Sequence, residues 1–458
     1  MSFKHKTLAA GIVLALAAPL GAQAADSAEL AQIREQIKQI KESYETRLQS
    51  LEKRLQQAES TAGSALDKAA KVEEKAVHAA AAPAALPAAS ASAFNPEVSL
   101  ILSGTYTNLS QDPANYRIGG FLPNGGGIGP GQRGFSLGES ELVVAANIDP
   151  YLRGTFILAV TPEDTVAVEE AFVQSLGLGN GFTLKAGRFY SGVGYLNERH
   201  AHTWDFVDAP LAYQAFFGGQ FKDDGVQLKW LAPTDLLVEL GAEVGRGKNF
   251  PASNRDKNGS GSATLFAHLG GDVGASHSWR AGLSLLRTSP QDRAFDSAGV
   301  TNSFSGDGRL EIADFIWKWS PNGNPVYTNF KLQGEYFRRR EDGDLTYDVT
   351  IANITDRYAS TQSGGYLQGV YQFMPRWRVG LRRDQLDSGR VDYASNNDAL
   401  GRPAFKPSKN SLMFDYSPSE FSRFRLQFAQ DKSRPEATDN QMFLQYQMSL
   451  GAHGAHKY

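Results

Sequence analysis

From residue 97 onward the chain alternates apolar and polar residues in short runs separated by turn-forming residues. EVSLILSGTYTNL, ESELVVAANI, FTLKAGRFY, LLVELGAEVG, ATLFAHLGGDV, TNFKLQGEYF and FLQYQMSL show the two-residue period of strands whose two faces meet different surroundings. With eight further runs of the same kind and VEEAFVQSL there are about sixteen, within the even-numbered range of outer-membrane barrels. The connections sharpen this reading. Asp149-Pro150, Gly179-Asn180-Gly181, Pro233-Thr234-Asp235, residues 274–276, residues 321–325, Met374-Pro375-Arg376 and Pro418-Ser419-Glu420 are tight turns. Between them fall longer polar stretches at 110–135, 193–223, 248–261, 288–307 and 387–407. Short turns at one end of the strands and long loops at the other predict an all-β transmembrane barrel of antiparallel strands. Tyr151, Trp230, Trp279, Trp317, Trp319, Tyr327, Phe373, Trp377, Tyr416 and Phe424 gather beside the short turns, where a girdle of interfacial rings belongs.

Upstream the period changes. Leu30, Ile33, Ile37, Ile40, Tyr44, Leu48, Leu51 and Leu55 recur at three- and four-residue steps, with Glu, Gln, Lys and Arg between them. That seam predicts an α-helical coiled coil, and the extra four-residue step from Tyr44 to Leu48 is a stutter. Isoleucine at both seam positions favours a trimer. Before it, Lys4 and Lys6 precede an apolar run at 8–20 and the small residues Ala22 and Ala24, the pattern of a secretory signal cleaved after Ala24. The predicted organisation is a signal peptide over 1–24, a periplasmic coiled coil over 25–76, an Ala/Pro-rich linker over 77–95 and the barrel over 96–458. At the other end, Tyr458 is in register with the outward-facing Leu444, Tyr446, Met448 and Leu450. This resembles the signal read by the barrel assembly machinery, and Tyr458 is expected to carry it.

Composition narrows the classes. A formal charge of −3 over 458 residues does not point to nucleic acid. The absence of cysteine excludes a lipid-modified cysteine anchor, disulfides, thiol catalysis and thiolate-bound metal. After the signal there is no long apolar run, so a chain that crosses lipid must do so as a barrel. The order of signal, coiled coil, linker and barrel resembles the trimeric phosphate-selective porin O and P family. That resemblance implies a homotrimer in the outer membrane of a Gram-negative bacterium, in contact with outer-membrane lipid and passing small hydrophilic solutes. The phrases FNPEVSLILSGTYTNLS, NERHAHTWDFVDAPL and SHSWRAGLS are similar to a group of uncharacterised proteobacterial outer-membrane proteins called TonB-dependent or zinc-regulated receptors. A coiled coil and an Ala/Pro linker do not make the globular plug such a receptor needs. A zinc-related uptake receptor and a structural tether acting through the coiled coil stand as the alternatives to a porin.

The candidate chemistry follows from the strand count. Residues 193–223 are the third long connection, and in the sixteen-stranded porins this chain resembles that loop folds inward and narrows the pore. Asn197, Glu198, Arg199, His200, His202, Trp204, Asp205 and Asp208 are then the constriction candidates, since opposed carboxylates and cations select solutes by size and charge. The alternative reading is metal: His200 and His202 point the same way in an extended segment, with Glu198, Asp205 and Asp208 completing a nitrogen and oxygen shell for zinc. His453 and His456 are a second candidate pair; otherwise no cofactor is expected. Alternation also sends Lys185, Lys229, Arg280, Lys318, Lys331, Arg378, Arg382, Arg423 and Arg425 into the lumen, with Glu139, Glu141, Glu239, Glu243 and Glu335. The basic excess predicts a modest anion preference; the same charges would also serve simply to solvate a water-filled wall. No serine stands at a telling spacing from these histidines, so catalysis is not expected.

Overall fold

In the computed structural model the described residues are 96–451, apart from 124–127, 162–164, 254–257, 298 and 402–403. The expected signal, coiled coil and linker, and with them His453, His456 and Tyr458, lie outside the described residues.

The strand segments are β1 (Glu97–Leu109), β2 (Gly134–Leu137), β3 (Ser140–Asn147), β4 (Leu152–Val160), β5 (Val166–Ser175) and β6 (Phe182–Tyr190). Next come β7 (Lys222–Leu231), β8 (Leu237–Gly245), β9 (Ser262–Val273), β10 (His277–Thr288), β11 (Arg293–Ser297) and β12 (Val300–Trp319). The series ends with β13 (Asn329–Tyr347), β14 (Ile354–Met374), β15 (Trp377–Asp392), β16 (Ser408–Ser419), β17 (Ser422–Lys432) and β18 (Asp439–Gly451). Two pairs of segments are single interrupted strands. β2 and β3 both pair with β1, Ser136 opposite Thr105 and Glu141 opposite Ile101. β10 and β11 likewise both pair with β12. The result is sixteen antiparallel strands, each bonded to its sequence neighbour. β1 closes onto β18 with Ile101 opposite Ser449, so the sheet has no free edge. A closed sheet satisfies every strand backbone within itself, which is the condition for lying in lipid.

The side chains sort by the alternation. In β9, Thr264, Phe266 and His268 are buried inside, whereas Leu265 and Leu269 are exposed outside. Leu283 is 68% exposed and Leu381 63%, and Leu367, Leu240 and Val244 share that outer surface. An aliphatic belt of this extent is unfavourable in water and is the lipid contact of a transmembrane barrel. At the short-turn end, Tyr151 and Tyr327 are exposed, Trp377 stacks on Tyr416 at 4.5 Å and Phe424 lies 4.6 Å from Tyr446.

The long-loop end departs from expectation in one place. Residues 288–307, expected as a loop, are mostly strand: β10 reaches Thr288, and β11 and β12 form a hairpin above it. β12, β13, β14 and β15 run 20, 19, 21 and 16 residues, against the roughly 9–11 that cross a bilayer. Beyond the hydrocarbon both faces of a strand meet polar surroundings, so pairing continues after the hydrophobic alternation has faded.

Candidate functional site

Residues 191–221 connect β6 to β7 and lie within the barrel. Their two feet are stapled together by Asn197. Its Nδ2 donates to the carbonyls of Ser191 (2.7 Å) and Phe221 (2.8 Å), and its Oδ1 accepts from the Phe221 N–H (2.8 Å). Asn197 is fully buried, so it closes the loop and does not line the pore as expected. A sequence cannot distinguish an amide spent on backbone groups from one facing solvent.

Glu335 on β13 anchors the next stretch. It accepts from the N–H groups of Tyr195 (3.0 Å) and Leu196 (3.1 Å) and from the hydroxyls of Tyr213 (2.9 Å) and Tyr366 (2.6 Å). Gly194 permits this approach: its φ is +67°, and a Cβ there would sit 2.2 Å from Glu335 Oε2. The loop then forms α1 (Leu211–Phe217), every residue of which is buried. α1 packs into an apolar cluster with Leu310, Phe337, Tyr366 and Leu386 of the wall. Asp384 on β15 accepts from the Leu211 N–H at 2.9 Å, satisfying one donor of the first turn.

Between these anchors the loop meets several strands of the wall. His202 Nδ1 is 2.8 Å from Glu141 on β3. Two residues on, the Trp204 carbonyl accepts from Arg423 and Arg425 on β17. Asp205 pairs with Lys331 (2.5 Å) and Arg378 (3.3 Å), and Asp208 with Lys409 (2.7 Å) and Arg382 (3.0 Å). Burial would raise both carboxyls, but Lys331 and Arg378 hold Asp205 down at about 2, and Lys409 and Arg382 hold Asp208 well below the carboxylate range. Glu198 lies 3.6 Å from Lys229. Glu198, Asp205 and Asp208 are therefore committed to cations and do not complete a shell around the histidines, contrary to expectation.

Wall glutamates surround the histidines instead. His200 Nδ1 is 3.2 Å from Glu141 Oε2 and from Glu169 Oε2, and its Nε2 is 3.0 Å from Glu170 Oε2. Burial alone would lower the His200 pKa; the hydrogen bonds to Glu141, Glu169 and Glu170 raise it well above the usual value. The adjacent Glu169 and Glu170 both face inward because β5 carries a bulge opposite Ile157 and Leu158. Strict alternation would have sent one of them into lipid, so only the other could have been found by parity.

The lumenal cations lie on the inner face, but most are spent on partners. Arg378 and Arg425 bond Asp415, and Arg382 bonds Asp384 and Asp208. Arg423 donates to the His202 carbonyl (2.9 Å), Lys229 reaches Glu239 (3.5 Å), and Arg280 donates to the Gly194 carbonyl (2.8 Å). Lys185 lies 4.6 Å from the Phe172 ring. Asp384, Asp415 and Lys409 belong to the same network, while the buried Arg339 pairs separately with Gln362 and Glu341; their inward parity could have revealed all four. Below the loop, towards the short turns, is a cavity of about 630 Å³ lined by Glu198, Arg199, Asp205, Lys318, Lys331 and Arg378. Among the described residues Lys318 has no ion-pair partner there.

No protein-family model matches the chain. A curated protein of Aquifex aeolicus, described only as uncharacterized, is 29% identical over 391 residues, 80% of each chain. Among solved structures, the outer membrane channel DcaP of Acinetobacter baumannii is similar at 13% identity and a TM-score of 0.49, covering 78% of this chain and 97% of that one. A loop-deletion mutant of Vibrio cholerae OmpT, an outer membrane protein, is 10% identical with a TM-score of 0.49 over 78% and 99%. The anion-selective porin from Comamonas acidovorans is 11% identical with a TM-score of 0.46, over 78% and 99%. The closed strand pairing, rather than these likenesses, carries the barrel assignment.

Proposed function

We propose that the protein is a porin of a Gram-negative outer membrane, passing small hydrophilic solutes by diffusion, with the short-turn end in the periplasm. The observation that carries this reading is the loop at 191–221, held across a charged lumen from its feet on β6 and β7 to Arg382 on β15 and Lys409 on β16. Such a loop narrows the lumen without sealing it as a separate plug domain would, and charged groups at its edge filter solutes by size and charge. Arg199, Lys318, Lys331 and Arg378 border the cavity below it, against Glu198 and Asp205. A modest anion preference follows from that balance, with Lys318 its main source. The assembly we favour is a homotrimer, on the isoleucine seam of the N-terminal segment. Recording in a planar lipid bilayer tests the proposal: stable conductance closing in three steps is expected, and a folded protein without conductance overturns it.

A further inference from the structure

The histidines of the loop and the glutamates of the wall form a cluster that solute diffusion does not require. His200 caps a single 3-10 turn, residues 201–203, and His202 lies within it, so that both rings face Glu141 with centroids 5.6 Å apart. Glu141 meets them from β3 with one oxygen each, Oε1 at 2.8 Å from His202 Nδ1 and Oε2 at 3.2 Å from His200 Nδ1. One donor atom from each of Glu141, His200 and His202 lies within 4.8 Å of the other two. Tetrahedral zinc, with bonds of about 2.0–2.1 Å, needs its ligand atoms about 3.3 Å apart, so small side-chain shifts would suffice. Glu139, Glu141 and Glu169 form a second triple of the same kind, sharing Glu141. A fourth ligand is therefore at hand.

Charge and access point the same way. Glu141, Glu169 and Glu170 contact the two imidazoles and Glu139 lies beside Glu141 and Glu169, so carboxyl groups outnumber the rings two to one. Buried negative excess is costly unless a cation compensates it. Glu141 Oε2 is buried, and its partner is the His200 ring nitrogen at 3.2 Å. The ligands are themselves supported: the His202 carbonyl accepts from Arg423 and Gln447, and Tyr190 donates its hydroxyl proton to Glu169. A cavity of about 290 Å³ lined by Glu97, Ser99, Arg153, Glu141, His200 and His202 provides an approach.

We propose that Glu141, His200 and His202, with Glu169 as fourth ligand, bind one divalent transition cation of the zinc class and thereby clamp the loop to the barrel wall. Imidazole nitrogen selects such a cation over calcium or magnesium. The site does not depend on the diffusion reading, because binding and conductance are measured separately.

The test is calorimetric titration of zinc chloride into the full chain, purified in detergent without an affinity tag and stripped with chelator. One ion per chain is expected, with affinity falling more than about a hundredfold in His202→Gln and in Glu141→Gln. His453→Ala/His456→Ala should bind as the parent does. Absent binding, binding unchanged by His202→Gln, loss in His453→Ala/His456→Ala, or equal affinity for calcium would each overturn the proposal. If a variant fails to fold, as read by its heat-dependent gel mobility, X-ray absorption at the zinc edge of the loaded parent decides the matter. A shell with two imidazole nitrogens supports the site, and an all-oxygen shell overturns it. Conductance lost with zinc binding intact would sink the diffusion reading alone.

Discussion

Glu335 serves the loop through four donors at once, two backbone and two phenolic. Removing it leaves those donors unmatched inside the barrel, and the loss in loop docking should be roughly 3 kcal/mol. Glu335→Ala should therefore keep the barrel but speed tryptic cleavage after Arg199 by about a hundredfold. An unchanged cleavage rate would mean the anchor is redundant. Asp205 gives a pH dependence with a definite sign. Its folded carboxyl titrates at about 2, below the ordinary value of 3.8. A depressed carboxyl adds stability that is complete above the ordinary value and lost as pH falls through the folded one. Loop docking should thus hold steady down to about pH 4 and weaken between there and about pH 2. Near-UV circular dichroism of the barrel would follow it, and Asp205→Asn should remove that acid transition.

Among the elements, the loop at 191–221 is unusual in carrying its own apolar helix into a polar lumen. α1 contributes Leu211, Tyr213, Phe216 and Phe217 to a cluster completed by the wall. The sequence LAYQAFF gives no sign of this: seven residues are too few to establish a helical period. Its packing partners come from β12, β13, β14 and β15, so the helix exists because the barrel supplies its other half. Replacing residues 198–217 with a short Gly/Ser linker should leave the strand pairing intact. Single-channel conductance should then rise severalfold, and an equal conductance would show that the loop does not limit the path. β5 makes the complementary point. Its bulge turns two adjacent glutamates inward, and a strand read only by alternation would mislay one of them.

For the whole molecule, charge pairing outweighs charge counting. The wall cations that parity assigns to the lumen mostly face carboxylates that parity also places there, such as Arg425 against Asp415 and Arg382 against Asp384. A pore lined by matched pairs has little net field, and selectivity then rests on the few unmatched groups. Lys318 is such a group. Lys318→Glu should shift the reversal potential in a salt gradient toward cations, whereas Arg425→Gln should chiefly lower stability, since it leaves the buried Asp415 with Arg378 as its one cation. An unshifted potential in Lys318→Glu would remove the proposed source of anion preference.

Local chemistry alone determined the barrel, because the alternation of Leu265, Leu269 and their neighbours with polar residues records a difference between lipid and lumen repeated in every strand. The turn residues beside each short connection set the strand order, and parity set the inner face on which Lys229, Arg378 and Glu335 lie. What the inner residues touch was decided only by closure. β1 must meet β18, and the loop at 191–221 must cross the lumen, before His200 can approach Glu169 or Asp208 can reach Lys409. Those partners lie far apart in the chain, and no period of two connects them. Asn197, expected in the pore from its place in the third long connection, closes the loop instead, because the two feet of the loop return to the same point. The candidate histidines were therefore visible in the sequence, while the glutamates that surround them were a property of the folded barrel.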